Sequence, residues 1–191
     1  MDDLFADERI QFFLRNRADI KVWAAIESDV MAATRDLLAR AQPAIEERIL
    51  AIDPDALVGR GDGGQRERIM ARRGHWPPSV GLTLEWNRSV DPLGNERPKL
   101  GVFWWADPPT LVEPRNRFAT AVDKQSLQRL GYKIPLEGVW PVGMWITSSP
   151  DWWRDPPAWM AGIVDLCAQA WPLVAPHIDA VLPDNWQVSG G

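Results

Sequence analysis

The chain has one cysteine, Cys167, two histidines, His75 and His177, and one tyrosine among 191 residues. A lone cysteine excludes an intramolecular disulfide. One thiol and two imidazoles far apart in sequence also fall short of the several Cys or His ligands of a structural zinc site. The same scarcity of soft ligands disfavours a transition-metal enzyme. An oxygen-ligand Mg²⁺ site stays open, because 26 acidic residues are available. The N-terminal stretch MDDLFADERIQFF is acidic and lacks the basic start and apolar run of a signal peptide. No apolar run approaches the roughly 20 residues that cross a bilayer. The expectation is a cytoplasmic protein with no membrane contact and no cofactor. Catalytic signatures are missing too. GRGDGG at 59–64 is followed by no GK[ST], so it is not a Walker A loop. No G-x-S-x-G occurs. Cys167 and His177 lie ten residues apart, about 15 Å along a helix and too far for a thiolate–imidazole contact unless Pro172 breaks the chain between them.

What the chain has instead is tryptophan, 12 residues of it. Trp76, Trp86, Trp104, Trp105, Trp140, Trp145, Trp152, Trp153 and Trp159 all fall between positions 76 and 159. Each brings a large apolar body and one N–H that needs a partner when buried. Such a concentration builds either an aromatic core or an aromatic surface that holds something. Hydrophobic residues make up 46% and charged residues 25%, which fits a folded globular chain. The net charge of -5 opposes general attraction to nucleic acid and leaves room for a local basic patch.

Apolar spacing of three and four predicts helices near the N-terminus: a short one over 4–16, then a longer one from Ile20 to Ile52. Asp19 reads as the N-cap of the second, and Pro43 as a kink or restart. Residues 58–78, with five glycines and five arginines, read as a hinge loop with at most a helical turn around 65–72. Val80 to Asn87 alternates with period two and predicts a strand. Residues 99–106 and 139–147 read as further strands, the last at an edge because of Pro141. Asp123 suits the N-cap of a short helix over 124–130 closed by Gly131. Asp155 and Pro156 open a final helix that runs to Val181 and bends or breaks at Pro172. The whole reads as one α+β domain over 1–183: a helical segment 4–53, the hinge 58–78, and an antiparallel sheet of three or more strands with its helix over 79–183. A mobile tail follows over 184–191.

Side-chain parity sorts the strands into two faces. Val80, Leu82, Leu84, Trp86, Leu100, Val102, Trp104, Trp140, Val142, Met144 and Ile146 share the core face. Thr83, Glu85, Asn87, Lys99, Gly101, Phe103, Trp105, Gly143, Trp145 and Thr147 share the other, which mixes aromatics with polar and small residues. Phe103, Trp105 and Trp145 are the candidate ligand platform there. Arg66, Arg68, Arg72 and Arg73 form the candidate anion-binding cluster, since guanidinium forks match phosphates and carboxylates. Trp152 and Trp153, in PDWWRDPP, are of the type that dominates protein-binding hot spots. Glu85 and Asp91 are the candidate catalytic carboxylates of a metal-dependent nuclease, with Lys99 nearby, although the spacing is not E-x-K.

With no catalytic motif present, these observations favour an intracellular, non-catalytic binding or regulatory module. A protein is its expected partner, as for an inhibitor or immunity-type protein. Nucleic acid is a possible second partner through the arginine segment. A metal-dependent nuclease or other phosphate-processing hydrolase is the first alternative. An aromatic-platform binder of a small ligand or a single-stranded nucleic acid is the second.

Overall fold

The computed structural model describes residues 8–62, 66–87, 97–106, 109–136, 138–146 and 154–182. Two helices, α1 (Glu8–Arg15) and α2 (Arg17–Leu50), precede four strands: β1 (Ala56–Asp62), β2 (Arg66–Arg73), β3 (Val80–Asn87) and β4 (Lys99–Trp104). A 3-10 turn at Pro109–Leu111 leads to α3 (Val112–Ala121) and α4 (Lys124–Arg129), then β5 (Val142–Trp145) and α5 (Pro156–Val181). The five strands form one sheet in chain order, every neighbouring pair antiparallel. The fold is α+β, with N-terminal helices, an antiparallel sheet and a C-terminal helix that packs against α2 and β3.

The helices lie on one face of the sheet. Ile69, Ala71, Leu82, Leu84, Trp86, Leu100, Val102, Trp104 and Val142 meet Leu38, Ala41, Ile45 and Ile49 of α2 and Ile163, Trp171, Val174 and Ile178 of α5. Burying a side chain of this size contributes roughly 1.5–3 kcal/mol relative to leaving it exposed. Among the described elements, α3 and α4 lean on α5 rather than on the opposite sheet face.

Several sequence expectations hold. Strand β3 spans the residues expected, and β5 is an edge strand as Pro141 implied. Asp123 and Asp155 cap α4 and α5 through bonds from the backbone N–H groups of Ser126 and Ala158. Gly131 follows α4 at φ 92, which a residue with a Cβ adopts only with strain.

Others are corrected. Residues 58–78 are not a hinge loop, for β1 and β2 occupy most of that range as an antiparallel pair. In RERIMARR, Ile69 and Ala71 turn toward the core while Arg66, Arg68 and Arg72 turn away. That is period two, masked by the surrounding glycines. Asp19 is not the cap of α2. The helix begins at Arg17, and Asn16 joins it to α1, donating its N–H to Phe12 O while its own C=O accepts from Ile20. No helix restarts at Pro43 or breaks at Pro172: α2 passes Pro43, and α5 passes Pro172 and Pro176, as single elements. All three prolines are exposed. The Ile20-to-Val30 stripe does not reach the core: Trp23, Ile26 and Val30 stay exposed, and burial begins at Thr34 and Leu38. By length and composition α5 could cross a bilayer, contrary to the sequence expectation. Half of its most apolar window is buried, where the helix covers the sheet.

Among the described residues, Trp140 is the one that parity places on the wrong face. Its ring packs edge-on against Phe103, 5.5 Å between centroids, on the helix-free side. The alternation does not carry back through Pro141, because β5 starts only at Val142.

Candidate functional site

The strand register aligns five residues in one row across the helix-free face. Gly61 pairs with Arg68, Arg68 with Glu85, Glu85 with Lys99, and Lys99 with Trp145. Directly opposed residues of antiparallel strands point to the same side. Arg66 lies two residues from Arg68 and opposite Asn87, while Phe103 lies opposite Gly81. The meander therefore gathers charges from three stretches of sequence onto one surface.

Glu85 is the anchor of that surface. Its side chain is 4% exposed. Arg66 Nη1 donates to Oε1 at 2.9 Å, and Arg68 Nη2 stands 3.4 Å from Oε2. Oε2 and the Arg68 Nε–H have no hydrogen-bond partner among the described residues. Cations then settle on rings. The Arg68 guanidinium lies 4.5 Å from the Phe103 centroid, and Lys99 Nζ lies 4.3 Å from that of Trp145 and 5.8 Å from that of Trp140. Such contacts are worth about 0.5–2 kcal/mol, more where water is excluded. They hold the positive charges in fixed places over a buried floor.

Three connected depressions cross this face. One of about 220 Å³ is walled by Arg66, Glu85, Asn87, Arg97, Lys99 and Trp145. Arg66 and Glu85 also border the next, about 480 Å³, which reaches Phe103, Trp105 and Pro78. Arg68 and Pro78 continue into a third of about 410 Å³ beside Met70, Arg72 and Gly59. Among the described lining residues stand six cations, Arg60, Arg66, Arg68, Arg72, Arg97 and Lys99, against the one carboxylate of Glu85, with Arg60 paired to Glu67 beside the groove. Arg72 and Arg97 have no carboxylate partner among the described residues. Arg72 makes only long bonds, 3.3–3.4 Å, to the carbonyls of Trp76 and Arg73.

The expected site residues divide accordingly. Arg66, Arg68 and Arg72 come together as strand residues of one face, not as a loop or helical turn. The aromatic platform is broken up. Phe103 is buried beneath Arg68 and Trp140, Trp145 is half-buried with Lys99 on its ring, and Trp105 is 51% exposed at the groove wall. Arg73 leaves the cluster. It pairs with Asp53 at 2.9 Å and with Asp179, tying the end of α2 to β2 and α5. Trp171 Nε1 also donates to Asp53, and Trp76 Nε1 to Asp179. Burial pushes the Asp53 carboxyl up, but the hydrogen bonds from Arg73 and Trp171 and the charge of Arg73 outweigh it and hold the group below its ordinary 3.8. Asp91, Trp152 and Trp153 lie outside the described residues, as does the tail 184–191.

The structure adds Arg97, Pro78 and Met70 to the groove. Arg97 could have been noticed in the basic ERPK segment, but its place with Arg66 and Asn87 around one depression depends on how β2, β3 and β4 pair. No comparable signal marks Pro78 or Met70.

Chemistry by a nucleophile is poorly served. Burial pushes the Cys167 thiol up to about 12, and the unbroken α5 keeps His177 ten residues away. Among the described residues no three His, Cys, Asp or Glu side chains converge on a point. Compared with protein-family models, with curated proteins and with solved structures, the chain matches none.

Proposed function

We propose that this chain is a non-catalytic binding module whose partner surface is the helix-free face of the sheet and whose partner is anionic. The observation that carries this reading is the segregation of charge. A chain of net charge -5 collects six cations and one carboxylate among the described residues that line the groove. A cleft lined by one sign of charge concentrates ligands of the other sign. The nuclease reading is weaker on the same ground. Mg²⁺ at Glu85 would sit against Arg66 and Arg68, with Lys99 on the next strand, and like charges oppose it.

The test is calorimetric titration with simple polyanions, namely polyglutamate, heparin and a mixed-sequence oligonucleotide, at low salt. At least one is expected to bind saturably, and the Arg72→Ala/Arg97→Ala double variant is expected to bind it at least fivefold more weakly with its melting temperature unchanged. If all three polyanions fail to bind, or the variant binds as wild type does, the groove is not the partner surface. Saturable Mg²⁺ or Mn²⁺ binding that Glu85→Gln abolishes would instead favour the nuclease.

A further inference from the structure

Resting on that reading of the groove, the geometry points to a single-stranded nucleic acid as its occupant, with phosphates on Arg66, Arg72 and Arg97 and bases against Trp105 and against the part of Trp145 that Lys99 leaves uncovered. Four observations favour it over an acidic peptide or a duplex.

The first is the pairing of cations with flat rings. Trp145 and Trp105 stand in adjoining depressions that share Arg66 and Glu85 as their common wall. Surfaces that hold single strands combine a positive track for the backbone with rings on which successive bases stack. An acidic peptide needs the cations and makes little use of the rings.

The second is size. The depression at Trp145 is about 220 Å³, below the roughly 300 Å³ at which pockets enclose a drug-sized ligand. It suits one ring system at a time. The larger depressions beyond it, about 480 and 410 Å³, continue the track toward Arg72. A linear ligand with repeated rings fits that series, whereas a compact one does not.

The third is Glu85. Its side chain borders both depressions but is 4% exposed, with Oε2 buried 3.4 Å from Arg68 Nη2. A carboxylate there repels carboxylates and phosphates alike, so an anionic ligand must place an uncharged part near it. A base edge, which carries N–H donors, is tolerated. Glu85 is a positioning residue that holds the guanidiniums of Arg66 and Arg68 apart.

The fourth concerns the duplex. Its bases are stacked inside, and reading them requires an element that enters a groove. Among the described residues this face presents a sheet floor and shallow walls, with its helices on the opposite side.

Three half-exposed or exposed arginines on phosphates give an expected slope of about -2 in log affinity against log salt, from roughly 0.7 per phosphate on a single strand. Affinity should then fall about 20-fold between roughly 50 and 200 mM salt. The measurement is fluorescence anisotropy of a labelled single-stranded oligodeoxynucleotide of about eight nucleotides, with the same sequence as a duplex and polyglutamate as competitors. Saturable binding of the single strand, at least tenfold tighter than the duplex, with that slope, is the expected result. Trp105→Ala should weaken it about tenfold, and Trp145→Phe, which keeps a ring, should weaken it less than Trp145→Ala. Arg72→Ala/Arg97→Ala should reduce the slope to about -0.7. Circular dichroism of each variant shows whether it is folded, and Trp105→Ala, at an exposed position, carries the test if Trp145→Ala is not. Binding of polyglutamate without binding of the single strand overturns this inference and leaves the anionic-partner reading intact. Failure of the single strand, of polyglutamate and of heparin overturns the two together. Equal affinity for single strand and duplex, or a Trp105→Ala variant that binds as wild type does, also overturns it.

Discussion

Trp104 and Trp105 are neighbours in sequence and live on opposite sides of the same sheet. Trp104 is fully buried on the helix side, its ring 5.6 Å from Phe118 and its Nε1–H bonded to Leu111 O at 3.1 Å. Trp105 stands half exposed over the groove. One face is a dry core closed by helices. The other is a half-buried floor where arginine, lysine and glutamate are fixed by ion pairs and ring faces. The difference shows that charged side chains can be buried on a sheet without an apolar lid, provided each meets an opposite charge or a ring. It also shows that the number of tryptophans says little about their role until each is assigned a side.

The comparison can be tested in order of expected effect. Trp104→Ala should cost about 3–5 kcal/mol, the range for removing a large buried aromatic. A loss below about 1 kcal/mol in denaturant unfolding would mean that the helix-side face is not the core. Leu84→Ala and Val102→Ala remove less volume from the same face and should each cost about 2–4 kcal/mol; values near those of surface sites would invert the face assignment.

Asp53→Asn probes the ionic tie between α2, β2 and α5 and should cost about 1.5–3 kcal/mol at neutral pH, the range for hydrogen bonds to a charged group. The sign with pH follows from the depressed carboxyl. Its contribution is complete above the unfolded value near 3.8 and is lost as pH falls through the lower folded value. Urea melts of wild type and variant should therefore converge as pH drops below about 4. A gap that stays constant to pH 2 would show that the ionised form of Asp53 is not what stabilises the junction. The smallest effect belongs to Trp105→Ala, within about 0.5 kcal/mol as for ordinary surface positions. A larger loss would make Trp105 part of the packing rather than of the binding surface.

Much of the architecture was legible locally. The period-two pattern of β3, the Asp caps of α4 and α5, the Gly131 stop and the edge position of β5 each depend on a few consecutive residues, and the structure agrees with them. The β1–β2 pair was not legible, because glycines and arginines give the signal of a turn when no partner strand is in view. Paired to β3, the same residues place Ile69 and Ala71 in the core. The N-terminal part of α2 shows the opposite case. Its apolar spacing is as regular as that of the buried part, yet only residues from Thr34 onward meet the body.

The site followed the same division. Parity alone put Glu85, Lys99, Phe103, Trp105 and Trp145 on one face, since alternation is a property of the strand itself. It could not show that Arg66 and Arg68 join them, that Arg73 departs to Asp53 and Asp179, or that Trp140 crosses over at Pro141. Those outcomes depend on register, and register is set by which strands pair and how both faces pack. The sequence by itself determined the types of side chain available and the local periods that align them. The tertiary structure decided which cations stand together, because the positions it joins, 66–72, 85, 97–105 and 145, are adjacent only across the sheet.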